Sequence, residues 1–353
     1  MDIFVSPVGQ TDNLGDSVLR RPLLEQLRPY GTLHVFAGPD RGYRSGLGLA
    51  PQDVVHARGR EWLAAGLRSA AARPTGFAVN AGELLVLRTA VLAGHTALAG
   101  LVRARGGAVV AAGMGLRAGT DASARVLRPL LLLADPVVWR DGRSAAVAGL
   151  GGTAPDWAFA TGRSAEELAA QDAPRTLVAV SLRGDRPPPS PTWCAAVQEL
   201  ARRSGCELLV VTQVRRDAAR AAELGTRLGA RVLPWGAASH AEHEQVVRAA
   251  YAASAAVVSD RIHVLILGLT EGAVPVGCTT GDPEKVARTF AGVTDVPLAF
   301  AQDELAGGPE GADRMQAVVA DRERLLVDLA AARRRLDEVG REIGRVLSAR
   351  SHP

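Results

Sequence analysis

In the segment Ser259-Asp260-Arg261-Ile262-His263 a buried strand ends in two basic side chains and runs directly into an apolar helix. If the stretch is extended, Arg261 and His263 project to one side and Ile262 turns toward the core. The free N–H groups and dipole of a helix start then favour an anion beside them. The plainer reading is that Asp260 caps the helix and pairs with Arg261 at the surface. The place of these residues, at the carboxyl end of a buried strand, favours a binding edge. Leu177–Leu182 repeats the pattern by delivering Arg183 to its end, followed by Gly184 and Asp185. Two arginines and a histidine on one edge suit a ligand with two negative groups, because guanidinium pairs bidentately with carboxylate and phosphate. Lys285, the one lysine among 41 basic residues, opens the helix after the next strand and is a candidate for the same pocket. Glu284 stands before it where a Walker A loop needs glycine, so that phosphate loop is excluded.

The first half offers acids. Asn13-Leu14-Gly15-Asp16 lies between the first strand and its helix, where either polar residue would also serve as a cap. Asn80-Ala81-Gly82-Glu83 follows the strand Phe77–Val79, with Gly82 allowing close backbone approach and Glu83 opening a helix. Asp16 and Glu83 are the candidates for orienting hydroxyls or removing a proton. Gly113-Met114-Gly115 lacks the G-x-G-x-x-G spacing of a dinucleotide loop. His240 and His243 have no evident third ligand, so they read as a solvated helix face and no metal is expected. Neither G-x-S-x-G nor H-E-x-x-H occurs, which leaves serine hydrolase and zincin chemistry without local support.

The elements that must position these residues alternate. Apolar runs at Ile3–Val5, Leu33–Phe36, Phe77–Val79, Ala108–Ala112 and Pro136–Trp139 are separated by helical patterns at 15–27, Leu84–Arg103 and Ala122–Leu133. After a Gly-rich stretch, strands are predicted at Leu177–Leu182, Glu207–Thr212, Arg231–Leu233, Ala255–Ser259 and Ala273–Gly277, with helices between them. This is an α/β chain of two Rossmann-like domains facing a cleft, each with a mainly parallel sheet. The expected division is residues 1–162, a linker at 163–175, residues 176–305, and a tail at 306–353. Apolar residues from Met315 to Leu347 at three-four spacing predict one long amphipathic helix in that tail. Packing back onto its own chain is the first reading of that helix, and a homo-oligomeric coiled coil the second.

Composition sets limits. The chain has 353 residues, 47% hydrophobic and 22% charged, with 41 basic residues against 37 acids. That balance, with aromatics at 4%, argues against a nucleic-acid binder. Three dispersed cysteines suggest neither disulfides nor a zinc site. With no basic leader and no long apolar run, a cytoplasmic protein is expected.

Taken in order, Asn13-Leu14-Gly15-Asp16, Asn80–Leu84, Arg140, Pro155-Asp156-Trp157-Ala158-Phe159, Ser181-Leu182-Arg183, Ser259-Asp260-Arg261-Ile262-His263 and Lys285 resemble the polysaccharide pyruvyl transferase family. The resemblance spans roughly residues 3 to 290. Asn80-Ala81-Gly82 departs from it, because many members have consecutive glycines there. The resemblance implies a GT-B-like fold and transfer of pyruvate from phosphoenolpyruvate onto a sugar of a surface polymer as a ketal. Phosphoenolpyruvate is then a co-substrate, and no other cofactor is implied. In that scheme Arg183 and Arg261 clamp the donor and His263 protonates its methylene carbon. Lys285, Asn13 and Arg140 complete the binding set, and Asp16 and Glu83 serve the acceptor. A lipid-linked glycan acceptor would bring the protein to the inner membrane surface, with the arginine-rich tail as the expected contact. A GT-B glycosyltransferase using a nucleotide sugar, and an inactive relative acting as a binding module, are the competing readings.

Overall fold

The computed structural model describes residues 1–84, 89–116, 121–171, 173–280 and 284–350. The chain forms two compact units. The first comprises Met1–Thr11, Asp16–Trp157 and Arg334–Pro353; the second comprises Asp12–Gly15 and Ala158–Arg333. The division falls between Trp157 and Ala158, ahead of the linker expected at 163–175. It also gives four residues of the first loop to the second unit and the end of the tail to the first.

Among the described residues, eight strands form the sheet of the first unit: β1 (Asp2–Val5), β2 (Thr32–Val35), β3 (Val54–Val55), β4 (Thr75–Val79), β5 (Gly82–Leu84), β6 (Ala108–Leu116), β7 (Val137–Trp139) and β8 (Gly152–Thr153). Their order is β3-β2-β1-β4-β6-β7-β8, with β5 extending alongside β6, and every pairing is parallel. The wholly buried runs of β4 and β6 occupy the middle, whereas the two-residue strands β3 and β8 are exposed at the edges. Central parallel strands are covered on both faces, so continuous apolar runs are what they require.

The second unit contains β9 (Leu177–Ser181), β10 (Glu207–Val211), β11 (Arg231–Leu233), β12 (Ser254–Ser259), β13 (Val274–Thr279) and β14 (Ala299–Ala301), in the order β11-β10-β9-β12-β13-β14, all parallel. This is the doubly wound order with its reversal between β9 and β12, the switch point where such sheets open a ligand crevice beyond their carboxyl ends. Local chemistry fixes the helix boundaries. Ser190 caps helix Pro191–Arg203 with Pro191 in its first turn, Ser239 and Glu242 form a capping box on His240–Ala252, and Gly229 ends Ala218–Leu228 in the left-handed conformation.

Four sequence expectations need correction. The helix expected at 15–27 is two, Leu14–Val18 and Arg21–Leu27, because Pro22 begins a new helix more readily than it continues one. Glu83 does not open a helix: Gly82 at φ +97° turns the chain into β5, and the helix begins at Thr89. The helix expected at Leu84–Arg103 therefore starts later, and part of its predicted first turn lies outside the described residues. The tail is two helices, Pro309–Ala320 and Arg322–Ala349, separated at Asp321, whose N–H closes a tight turn on the carbonyl of Val318. Leu325, Leu329, Leu336, Ile343 and Leu347 of the last helix are buried. Its first part is held by Arg333, which donates to the carbonyls of Phe159, Thr161 and Arg163. Its last part packs closely by way of Gly340 on Gln26 and Gly344 on Tyr30. The amphipathic face is therefore filled by the chain itself.

Candidate functional site

In the second unit Ser181 of β9 stands opposite Ser259 of β12. Arg183 and Arg261 each lie two residues beyond that pair, so parallel register alone brings both to one edge. The Ser259 hydroxyl donates to the carbonyl of Ser181 at 2.5 Å and accepts the N–H of Arg261 at 3.0 Å. The Asp260 carboxylate accepts the N–H of Arg183 at 2.9 Å. Arg261 is still extended, at φ −104° and ψ 119°, and helix Ile262–Thr270 starts immediately after it. Ile262 is buried, as its alternation predicts, and His263 stands in the first turn with its Nε2 shielded from solvent.

Each guanidinium is held by a carboxylate. Arg183 donates through Nε and Nη2 to Asp185 at 2.8 and 2.6 Å. Arg261 donates through the same two nitrogens to Asp217, whose Oδ1 also accepts the N–H of Gly184 at 2.8 Å. Both forks use the side of the guanidinium, so among the described residues each Nη1 remains for another acceptor. The two pairs differ in strength. Side-chain exposure is 12% and 4% for Arg261 and Asp217, against 29% and 59% for Arg183 and Asp185. An exposed pair is worth at most about 1 kcal/mol, whereas breaking a buried one costs about 3–5 kcal/mol. Arg261 is therefore fixed, and Arg183 can exchange its partner.

The two arginines are charge-compensated. Three aspartates, at 185, 217 and 260, act on the pair. Burial pushes the Asp260 carboxyl up to about 6, against the pull of the Arg183 amide and both guanidiniums. The hydrogen bonds from Arg183 hold Asp185 well below the usual carboxylate range and raise Arg183 in turn.

The Asp12–Gly15 segment joins this edge. Asn13 bridges to Val214, the N–H of Leu14 donates to Gln213, and the N–H of Arg215 donates to Asp12. The Asn13 side chain accepts the N–H of Gly15 at 3.2 Å. A Cβ at Gly15 would collide with the Cβ and ring of His263. Asn13, Arg183, Arg261 and His263 thus all belong to the carboxyl edge of the second sheet.

Of the remaining candidates, Asp16, Glu83 and Arg140 belong to the first unit and Lys285 to the second. Asp16 belongs to the first unit, where it accepts the N–H of Gln10 at 2.6 Å and faces Arg20 at 3.6 Å. Buried Arg20 donates to the Asp16 carbonyl and to Asn80, and Asn80 donates to Val8, tying the ends of β1 and β4 together. Glu83 sits half-buried in β5 opposite Gly115 of β6. Arg140, expected to bind substrate, donates to buried Asp156 at 3.0 Å inside the first unit. Lys285 is exposed at the start of helix Glu284–Phe290, and the turn before it lies outside the described residues. His240 and His243 are buried, not solvated: Trp235 stacks on His243 and meets His240 edge-on, and His243 Nε2 lies 2.8 Å from the Thr212 carbonyl. Among the described residues no group of three His, Cys, Asp or Glu could hold a metal ion.

Sequence reasoning missed Asp217 and Arg20. Asp217 ends the turn Arg215–Asp217 after β10, so inspecting the loops beyond every strand of the second half would have found it. Arg20 carried no signal, being one arginine of many in a helical pattern.

Two parallel α/β sheets of this order, with a long final helix, define a GT-B fold. No family model matches the sequence, and no curated protein does. Among solved structures, the chain is similar over 99% of both chains to Anabaena Alr3699/HepE in complex with UDP, at a TM-score of 0.58 and 12% identity. It is similar to the UDP-GlcNAc 2-epimerase of Neisseria meningitidis bound to UDP-GlcNAc, over 93% of this chain and 94% of that one, at a TM-score of 0.57 and 8% identity. Acinetobacter baumannii MurG matches over 98% and 99%, at a TM-score of 0.51 and 13% identity. Identities this low establish the fold, and function rests on the site.

Proposed function

We propose that the protein transfers the pyruvyl group of phosphoenolpyruvate onto two hydroxyls of a glycan as a ketal, releasing phosphate. The observation that carries the reading is the register that sets Arg183 and Arg261 side by side, with His263 opening the adjacent helix. The donor offers a carboxylate and a phosphate on a three-carbon unit, and the Nη1 edges of the two arginines match those groups. His263 gives a proton to the methylene carbon, which leaves C2 electrophilic. A sugar oxygen bonds to C2 and the C2–phosphate oxygen bond breaks. A second hydroxyl closes the ketal. Of the two hydroxyl protons, one restores His263 and the other leaves with phosphate, so the sum is diol plus phosphoenolpyruvate to ketal plus phosphate. Charge building on the departing phosphate is met by the arginines, with Lys285 as a further cation and Asn13, which accepts the N–H of the Gly15 that abuts His263, as a polar contact. Asp16 and Glu83 are the proposed acids for the acceptor hydroxyls.

A nucleotide-sugar reaction is the second reading, favoured by whole-length similarity to structures whose own ligands are UDP or UDP-GlcNAc. Thermal-shift titration separates the two. Stabilisation by phosphoenolpyruvate and not by UDP or UDP-sugars supports pyruvyl transfer; the reverse order supports the second reading.

A further inference from the structure

The basic surplus of the chain is localised. Between Val54 and Ala134 the sequence has ten arginines and three acids, a surplus of seven against four for the whole protein, so the rest is net acidic. Helices Thr89–Ala104, Asp121–Leu131 and Gly142–Ala148 of this region pack side by side. Arg128 of the second reaches the Ala148 carbonyl of the third at 3.3 Å. Their outward surface leaves large apolar side chains in solvent: Leu132 at 61%, Val126 at 49%, and also Val91 and Val147. Arg125, Arg128 and Pro129 are exposed among them. No Asp or Glu occurs in residues 89–116, 122–134 or 142–155. Of the bounding acids, Asp121 opens the second helix, Asp141 is turned inward as the cap of the third, and Asp135 is exposed beyond the second.

We infer that this three-helix face docks on an anionic lipid surface. A surface of arginines and branched aliphatics with acids only at its margins is complementary to negative headgroups over an acyl boundary. No helix among the described residues is long and apolar enough to cross a membrane, so the contact is peripheral. The tail does not offer it, because its apolar face is buried and Glu323, Asp328, Asp337, Glu338 and Glu342 alternate with its arginines.

Co-sedimentation of the full chain with vesicles of phosphatidylcholine alone, or with about 30% phosphatidylglycerol, tests this. Retention on the anionic vesicles at low salt, lost at high salt and absent on phosphatidylcholine, is the expected result. Arg125→Glu with Arg128→Glu should lower partitioning by about 25-fold or more, at about fivefold per arginine. Leu132→Asp should lower it without changing the melting curve. Equal binding to neutral vesicles, no binding to anionic ones, or unchanged binding by folded variants overturns the inference. So does self-association without vesicles that Leu132→Asp abolishes, which would assign the face to a second copy. Turnover on a soluble acceptor should be the same in these variants, so this test and that of the pyruvyl reaction fail separately.

Discussion

Both units carry arginines at the carboxyl edge of a parallel sheet, and they use them differently. In the first unit Arg20 and Arg140 are buried and engaged by Asp16, Asn80 and Asp156. In the second unit Arg183 and Arg261 are each gripped on one side by a carboxylate, with a donor edge left beyond it among the described residues. The proposed donor site needs arginines that the fold anchors from the side while the Nη1 edge is left over. A carboxylate fork does this, and it also fixes the guanidinium before a ligand arrives, which lowers the ordering cost of binding.

The widest separation between the two regions should come from parallel alanine substitutions. Arg140→Ala removes one member of a buried pair and should destabilise the protein by about 3 kcal/mol while leaving phosphoenolpyruvate affinity unchanged. Arg261→Ala should cost similar stability and abolish that affinity. Calorimetric titration with denaturant melts reads both effects, and an affinity loss in Arg140→Ala would erase the distinction. Gly15→Ala should come next. Its Cβ displaces His263, so turnover should fall by about 100-fold with a stability loss of about 2 kcal/mol. Gly100→Ala, with open space around it inside a helix, should instead be neutral or stabilising by about 0.5–1 kcal/mol.

The pH response of Asp260 is a smaller effect with a definite sign. Its carboxyl titrates near 6 when folded, against an ordinary value of 3.8, so the folded state binds more protons between those values. Stability then falls as pH rises through that window, by about 3 kcal/mol in order of magnitude. Asp260→Asn should keep an acceptor for the Arg183 amide, raise the melting temperature at pH 7 and give no gain at pH 4. Equal gains at both pH values would contradict the assignment. Smallest of all, Asp185→Asn should raise phosphoenolpyruvate affinity a few-fold with little stability change, because it loosens the exposed pair and spares the buried one. Weaker binding would show that Asp185 orients Arg183 and does not compete with the ligand.

Much of this was legible in the sequence, for physical reasons. The runs Leu177–Leu182 and Ala255–Ser259 could only be buried parallel strands, and strands of one sheet deliver their next residues to one edge, which placed Arg183, Arg261 and His263 in advance. Partner choice was less visible. Asp217 reads as an ordinary helix-start acid until β10 is set beside β9, and the pairing of Arg140 with Asp156 shows only once the chain is folded. Asn13 and Asp16 are three residues apart yet belong to different units, because contacts distant in sequence decide the allegiance of a loop. Helix breaks at Pro22 and Asp321 depend on single residues within strong periodic patterns, where periodicity alone is least informative.

Phosphate release from phosphoenolpyruvate, measured with and without a glycan acceptor in the wild type and in His263→Ala, tests the central claim most directly. The account expects acceptor-dependent release in the wild type and a loss of about 100- to 10,000-fold in a variant that still melts as the wild type does. Release by His263→Ala at the wild-type rate, or none from the wild type with any surface-polymer sugar, would contradict it.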